Sequence, residues 1–189
     1  MILPGLLFLA LQAPASSASA AKPAAAKAIA PVEKLKVIDS ALALDTFKLT
    51  CWEALRDPTA LQAAVMMAPI PLAAQSKAGS PSKSAESYRS DQAILTYAAS
   101  DNLPANIPAR QCTLIVRLAG AADQLALAAR IQQALALPAG RTRTSAAQSQ
   151  TEWNVAGADA RVTRLFATTR AAPGGTTELR LAALLLAQK

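Results

Sequence analysis

The stretch Cys112-Thr113-Leu114-Ile115-Val116-Arg117-Leu118 decides how this chain folds. Side chains alternate sides along a strand, so Cys112, Leu114, Val116 and Leu118 share one apolar face. Thr113, Ile115 and Arg117 take the other. A strand apolar on one side and mixed on the other belongs to a sheet that buries a single face.

Working outward, Ala93 to Ala98 (AILTYA) is rich in strand formers, and Leu103 to Pro108 is a two-proline connection. Downstream, Gly120 ends the strand and Asp123 caps a helix running to Leu137. Leu127, Ile131 and Leu135 are its buried stripe, and Pro138 with Gly140 closes it. Three further strands follow as a meander: Thr151 to Val155, Arg161 to Thr169 and Thr177 to Leu186. The turns fall at Ala156-Gly157-Ala158-Asp159 and Pro173-Gly174-Gly175. The last segment is apolar on both sides near its end. It reads as a strand because a turn precedes it directly, with a short helix as the alternative.

Upstream, Asp45 is expected to cap a helix through Arg56, since Leu44, Phe47, Cys51 and Leu55 fall on one helical stripe. Asp57-Pro58 starts a second helix to about Met67, stopped by Pro69 and Pro71. Residues 72–91 are polar and rich in Ser, Lys and Gly, and read as a long mobile loop. The element order is ααββαβββ: an α+β domain over residues 39–189, with helices packed on one face of a mainly antiparallel sheet.

The first twenty residues read differently. Ile2 to Leu11 is an uncharged apolar run too short to cross a bilayer, which takes about 20 residues. Small and polar residues follow, ending Ala18-Ser19-Ala20, as in a cleavable secretory signal over residues 1–20. No Lys or Arg precedes the apolar run, so a buried N-terminal helix or strand is the alternative. Residues 21–38, rich in Ala, Pro and Lys, read as a flexible spacer. The expectation is a periplasmic or secreted protein with no transmembrane helix once the signal is removed.

An oxidising compartment gives meaning to the chain's two cysteines, Cys51 and Cys112. Each lies on an apolar face by an independent periodicity, one helical and one strand-like. A Cys51–Cys112 disulfide is therefore expected, with two buried free thiols as the other possibility.

The 189-residue chain contains no histidine, which removes Ser-His-Asp and Cys-His catalysis and most zinc patterns. Ser80-Pro81-Ser82-Lys83 matches the S-x-x-K nucleophile pattern, but it lies in a Gly/Ser/Pro loop rather than at a helix start. Either cysteine as a nucleophile would lack a base, and an apolar setting raises a thiol pKa. Gly174-Gly175 lacks the strand–turn–helix setting of a phosphate loop. Asp45, Asp57, Asp123 and Asp159 are accounted for as caps and turn residues. No catalytic residue, cofactor or metal site is expected.

Charge is the remaining signal. The formal net charge is +7, and from Arg110 onward ten basic residues stand against four acidic ones. Arg117, Arg141, Arg143, Arg161, Arg164 and Arg180 are the candidate contacts of a basic sheet face with anionic lipid or another envelope polyanion. Nucleic acid is not expected, because Tyr88, Tyr97, Trp153 and Phe166 are not interleaved with the arginines.

The segment Phe47-Lys48-Leu49-Thr50-Cys51-Trp52-Glu53-Ala54-Leu55-Arg56-Asp57-Pro58, with Pro108-Ala109-Arg110-Gln111-Cys112, resembles small exported proteins of sphingomonad-type alphaproteobacteria. The similar pieces cover about a third of the chain. The resemblance implies an exported α+β domain with a paired cysteine, and it carries no activity or site residue with it. The functional expectation is an exported, non-catalytic envelope or periplasmic module that interacts with another envelope component. A polyanion binder and a histidine-independent enzyme are the alternatives.

Overall fold

The computed structural model describes residues 34–75, 85–99, 108–157 and 161–186. The expected signal (1–20), most of the expected spacer and the Ser80–Lys83 motif lie outside them. The fold is α+β. In chain order the strands are β1 (Val37–Ile38), β2 (Ala73–Ala74), β3 (Ala85–Arg89), β4 (Ala93–Ala99) and β5 (Pro108–Leu118), then β6 (Arg141–Thr144), β7 (Ser149–Ala156), β8 (Val162–Ala172) and β9 (Thr176–Leu186). The α-helices are α1 (Ser40–Phe47), α2 (Leu61–Met66) and α3 (Gln124–Ala134).

The sheet runs β2-β3-β4-β5-β9-β8-β7-β6, antiparallel throughout, with β1 added in parallel to the end of β5. The opening heptapeptide is thus central. Its apolar residues line up across the sheet: Leu114 faces Leu95 on β4 and Leu181 on β9, and Leu181 faces Ala167 on β8. Cys112 is matched with Tyr97 and Ala183, and Ala183 with Leu165, which faces Trp153 on β7. All of these are buried, and this one layer is covered by Phe47, Leu127 and Ile131 from the helices and by Leu55 from the turn after Trp52.

The first helix begins earlier than expected. Asp39, not Asp45, is its cap, its carboxylate accepting from the Ala41 N–H, and Asp45 is exposed on the helix surface. The stripe Leu44, Phe47, Cys51 and Leu55 is nonetheless buried throughout. It survives because the helix widens into a π-turn over Lys48–Trp52 instead of ending. Thr46 and Thr50, both buried, donate their hydroxyls to the carbonyls of Leu42 and Thr46, so neither is left unpaired in the core.

Asp57 does start the next helical segment. It accepts from the Thr59 hydroxyl and N–H at 2.6 and 3.0 Å, ahead of a 3₁₀ turn at Pro58–Ala60 and then α2. Those hydrogen bonds, the hydroxyl's first, hold the Asp57 carboxyl below its ordinary pKa.

Three expectations on extent are corrected. The spacer reading of 21–38 fails at its end: Leu35 is buried and Val37–Ile38 pairs with Arg117–Leu118. The 72–91 loop contains β2 and β3, and Tyr88 on β3 is buried. A strand of two residues, or one with a single large apolar side chain such as β3, leaves no period to read. The third helix ends at Ala134 rather than Leu137, and Pro138 and Gly140 are not what closes it.

Closure is instead made by Ala136, at φ 50°, in the left-handed region. The Leu137 N–H bonds back to Gln132 O at 2.9 Å and the Ala136 N–H to Gln133 O at 3.3 Å, the paired pattern of a helix end that favours glycine. Ala136→Gly is expected to stabilise the protein by about 1 kcal/mol, because it relieves the Cβ cost of that conformation. Urea denaturation of the two proteins checks this, and an unchanged or lower midpoint would refute it.

Tyr88 gives a second test. Burial, reinforced by a hydrogen bond to the Glu86 carboxylate and its charge, pushes its phenol up to about 12 from an ordinary 10.0. The unfolded chain therefore loses this proton first. Stability should fall as pH rises from about 10 toward 12. Tyr88→Phe should lack that part of the decline when denaturation midpoints at pH 9 and pH 11 are compared; parallel behaviour of the two proteins would refute the assignment.

Candidate functional site

Every strand that sends alternate residues into the helix-covered layer sends the others to the opposite face. No helix covers that face among the described residues. One row across it reads Arg143, Gln150, Thr168, Arg180, Ile115, Ile94 and Arg89, on β6, β7, β8, β9, β5, β4 and β3 in turn. The next reads Arg141, Glu152, Phe166, Ala182, Thr113 and Thr96. Beyond it, Arg164 stands beside Leu184 and Gln111.

This face is dished. Thr113 and Ile94 keep only 3% and 4% of their surface, although no helix of the described residues lies over them. A groove of about 470 Å³ runs along it, and its polar walls include Gln111, Gln150, Thr168 and Arg180, with Phe166 among the apolar lining. A smaller recess of about 200 Å³ continues toward Arg141 and Arg143 at the β6 edge.

The arginines divide by their partners. Arg170 is ion-paired with Glu178 at 2.9 Å. Arg117 donates through Nε to the Thr176 hydroxyl at 2.7 Å and through Nη2 to the Pro173 carbonyl, which ties it to the β8–β9 turn. Both glycines of that three-residue turn, Gly174 and Gly175, have positive φ, a conformation that glycine adopts without strain. Arg141, Arg143, Arg164 and Arg180 are exposed and make no hydrogen bond or ion pair within the described residues. Their charge faces solvent. The carboxylates on this face are Glu178, already paired, and Glu152, across from Arg141.

Five of the six arginines singled out from the sequence thus share the open face: Arg117, Arg141, Arg143, Arg164 and Arg180. Arg161 does not. It lines a cleft of about 400 Å³ on the helix side, with Trp52, Leu55, Arg56 and Arg110. There Arg56 lies over the Trp52 ring at 5.4 Å, and Arg110 donates to the carbonyls of Leu55 and Arg56 at 2.8 and 3.3 Å. Arg161 precedes β8 by one residue and is an odd number of positions from Arg164, so strict alternation would have separated them. The same alternation would have found Arg170 and the neutral lining of Gln150, Phe166 and Thr168, which charge alone did not mark.

The two cysteines are joined. Cys51 in the π-turn and Cys112 on β5 form a disulfide with Cα atoms 5.3 Å apart, and both are fully buried. Ser80–Lys83 lies outside the described residues, and no group of three or more His, Cys, Asp or Glu within them is placed to hold a metal. No helix among the described residues is long and apolar enough to cross a membrane.

These features define an antiparallel sheet with one helix-covered face and one open, dished, arginine-bearing face. Comparison with models of protein families, with curated proteins and with solved structures finds no match, so the functional reading rests on the residues themselves.

Proposed function

We propose that this is an exported, non-catalytic binding module whose open sheet face takes a polymeric anion in the envelope or outside the cell. The observation that carries the reading is the set Arg141, Arg143, Arg164 and Arg180, exposed on one face and without partners in the described residues. Arg180 lines the groove, Arg141 and Arg143 line the recess that adjoins it, and Arg164 stands beside the groove residue Leu184. Unpaired guanidinium groups on one concave surface attract an anion from a distance and bind it by forked hydrogen bonds. The buried disulfide and the apolar run Ile2–Leu11 support export.

Export is tested by the mass of the protein recovered from its native host, expected to begin just after Ala20; a chain still starting at Met1 would overturn it. Binding is tested with dextran sulfate, followed by isothermal calorimetry at two or more salt concentrations. Affinity should drop as salt screens the face. The triple variant Arg143→Ala, Arg164→Ala, Arg180→Ala should bind at least about tenfold more weakly, a loss of about 1.4 kcal/mol. Arg130→Ala is the control, since Arg130 lies on α3 and bonds to Ser40 on α1. Equal loss in triple variant and control, or binding indifferent to salt, would sink the reading.

A further inference from the structure

We infer that the polymer held in the open-face groove is an acidic polysaccharide, its anionic groups taken by the unpaired arginines and its sugars by the neutral lining between them. This rests on the anion-binding reading and narrows it to one ligand class.

The spacing of charge carries the argument. Arg143 and Arg180 lie in one row with Gln150 and Thr168 between them. Three strand spacings separate the two arginines, about 14 Å at the usual distance between strands. Arg164 is four residues along the sheet from Arg180's row, with Phe166 and Ala182 in the row between. That is again about 13 Å at roughly 3.3 Å per residue. Arg141 is two residues from Arg143 on β6, about 7 Å, but it stands across from Glu152, whose charge offsets it. Arg141 apart, a polymer with an anion on every unit would meet a cation only at long intervals. A chain with hydroxyl-bearing neutral units between its anions would meet a partner at each step.

The intervening groups suit those units. Gln111 and Gln150 each offer an amide that donates and accepts at once, the pattern presented by neighbouring sugar hydroxyls. The hydroxyls of Thr113 and Thr168 do the same on a smaller scale. Phe166 is half-buried in the groove and outside the core layer, so part of its ring is open to a sugar's C–H face.

Two other polyanions fit less well. A membrane surface is met by a patch of apolar side chains that can insert. Of the described large apolar residues that are exposed, Met66 and Leu125 are on α2 and α3, Met67 follows α2, and Val37, beside Arg117, stands alone on this face. The face's own Ile94 is buried. Single-stranded nucleic acid wants several aromatic platforms, and Phe166 stands alone here, while Phe47, Trp52, Tyr88, Tyr97 and Trp153 are buried in the helix-covered layer.

Calorimetry with hyaluronate oligosaccharides, which carry one carboxylate on every second sugar, is the test, against polyphosphate of matched total charge and vesicles of phosphatidylglycerol. Hyaluronate is expected to bind at least as tightly as polyphosphate. Phe166→Ala and, separately, Gln150→Ala should weaken hyaluronate about tenfold while leaving polyphosphate within about twofold, because only the sugar contacts are removed. Gln150 is half-buried but its side chain makes no hydrogen bond among the described residues, so its variant keeps the test valid if loss of Phe166 disturbs the sheet; circular dichroism confirms the fold of each. Tighter binding of polyphosphate or of vesicles, or variants that leave hyaluronate unchanged, overturns the polysaccharide inference and leaves the anion site standing. No binding of any of the three overturns both.

Discussion

Loss of the Cys51–Cys112 disulfide is expected to lower the free energy of unfolding by about 4 kcal/mol, the chain-entropy value for cysteines 61 residues apart. The bridge ties the π-turn after α1 to β5, the middle of the sheet. It encloses α2, β2, β3 and β4. Unfolded and unbridged, that long segment gains freedom which the bridged unfolded chain lacks. The loss would be a large part of the total stability of a domain this size. Urea denaturation of wild type with and without reductant, beside Cys51→Ala/Cys112→Ala, measures it. With a slope near 2 kcal/mol per molar, the midpoint should fall by about 2 M. A shift below about 0.5 M would refute the chain-entropy account of the bridge.

That bridge was legible because both cysteines sit within strong periodic patterns, which fix their direction without reference to each other. The same is true of most of the sheet. β5, β8 and β9 carry long alternating runs, and their one-faced burial follows from the alternation. What escaped reading lacked a pattern of its own. β1 and β2 are two residues long, and β6 (Arg-Thr-Arg-Thr) is exposed at every position, so its identity as a strand comes from pairing with β7. The helix end was misplaced because Ala136 carries no mark of the left-handed conformation that its surroundings impose.

The open face was half legible, since arginine content pointed to the right strands. Which arginines remain unpaired depended on contacts across the chain, such as the reach of Arg117 to Thr176 and Pro173. The groove itself depends on the sheet's dishing, a property of the whole sheet that no single segment encodes.

The way β6 attaches to the sheet leads to the second large effect. Gly140, immediately before β6, is pressed against the edge of Trp153. A methyl group built on it would lie 2.5 Å from Trp153 Nε1, 2.7 Å from Cε2 and 2.9 Å from Thr151 Cγ2. None of these atoms can give way cheaply. Trp153 is fully buried, and its Nε1 has no acceptor within the described residues. Thr151 is held in a buried polar network. The Gln124 amide donates to its hydroxyl at 2.9 Å and to Ala167 O at 3.2 Å, and accepts from the Thr169 hydroxyl at 2.6 Å. Thr142 on β6 closes that network onto Thr151 at 2.9 Å. Gly140→Ala must therefore push the start of β6 off β7, and is expected to destabilise the protein by about 3 kcal/mol through overpacking. Gly120→Ala separates this cause from mere loss of glycine's freedom. Gly120 has a φ of 65° with nothing within 4 Å of an added methyl group, so it should cost only about 1 kcal/mol, the backbone preference alone. Urea midpoints of the two variants would show the difference, and equal shifts would refute the steric account. Because β6 carries Arg141 and Arg143, Gly140→Ala should also weaken dextran sulfate binding under conditions where the variant stays folded, whereas Gly120→Ala should not.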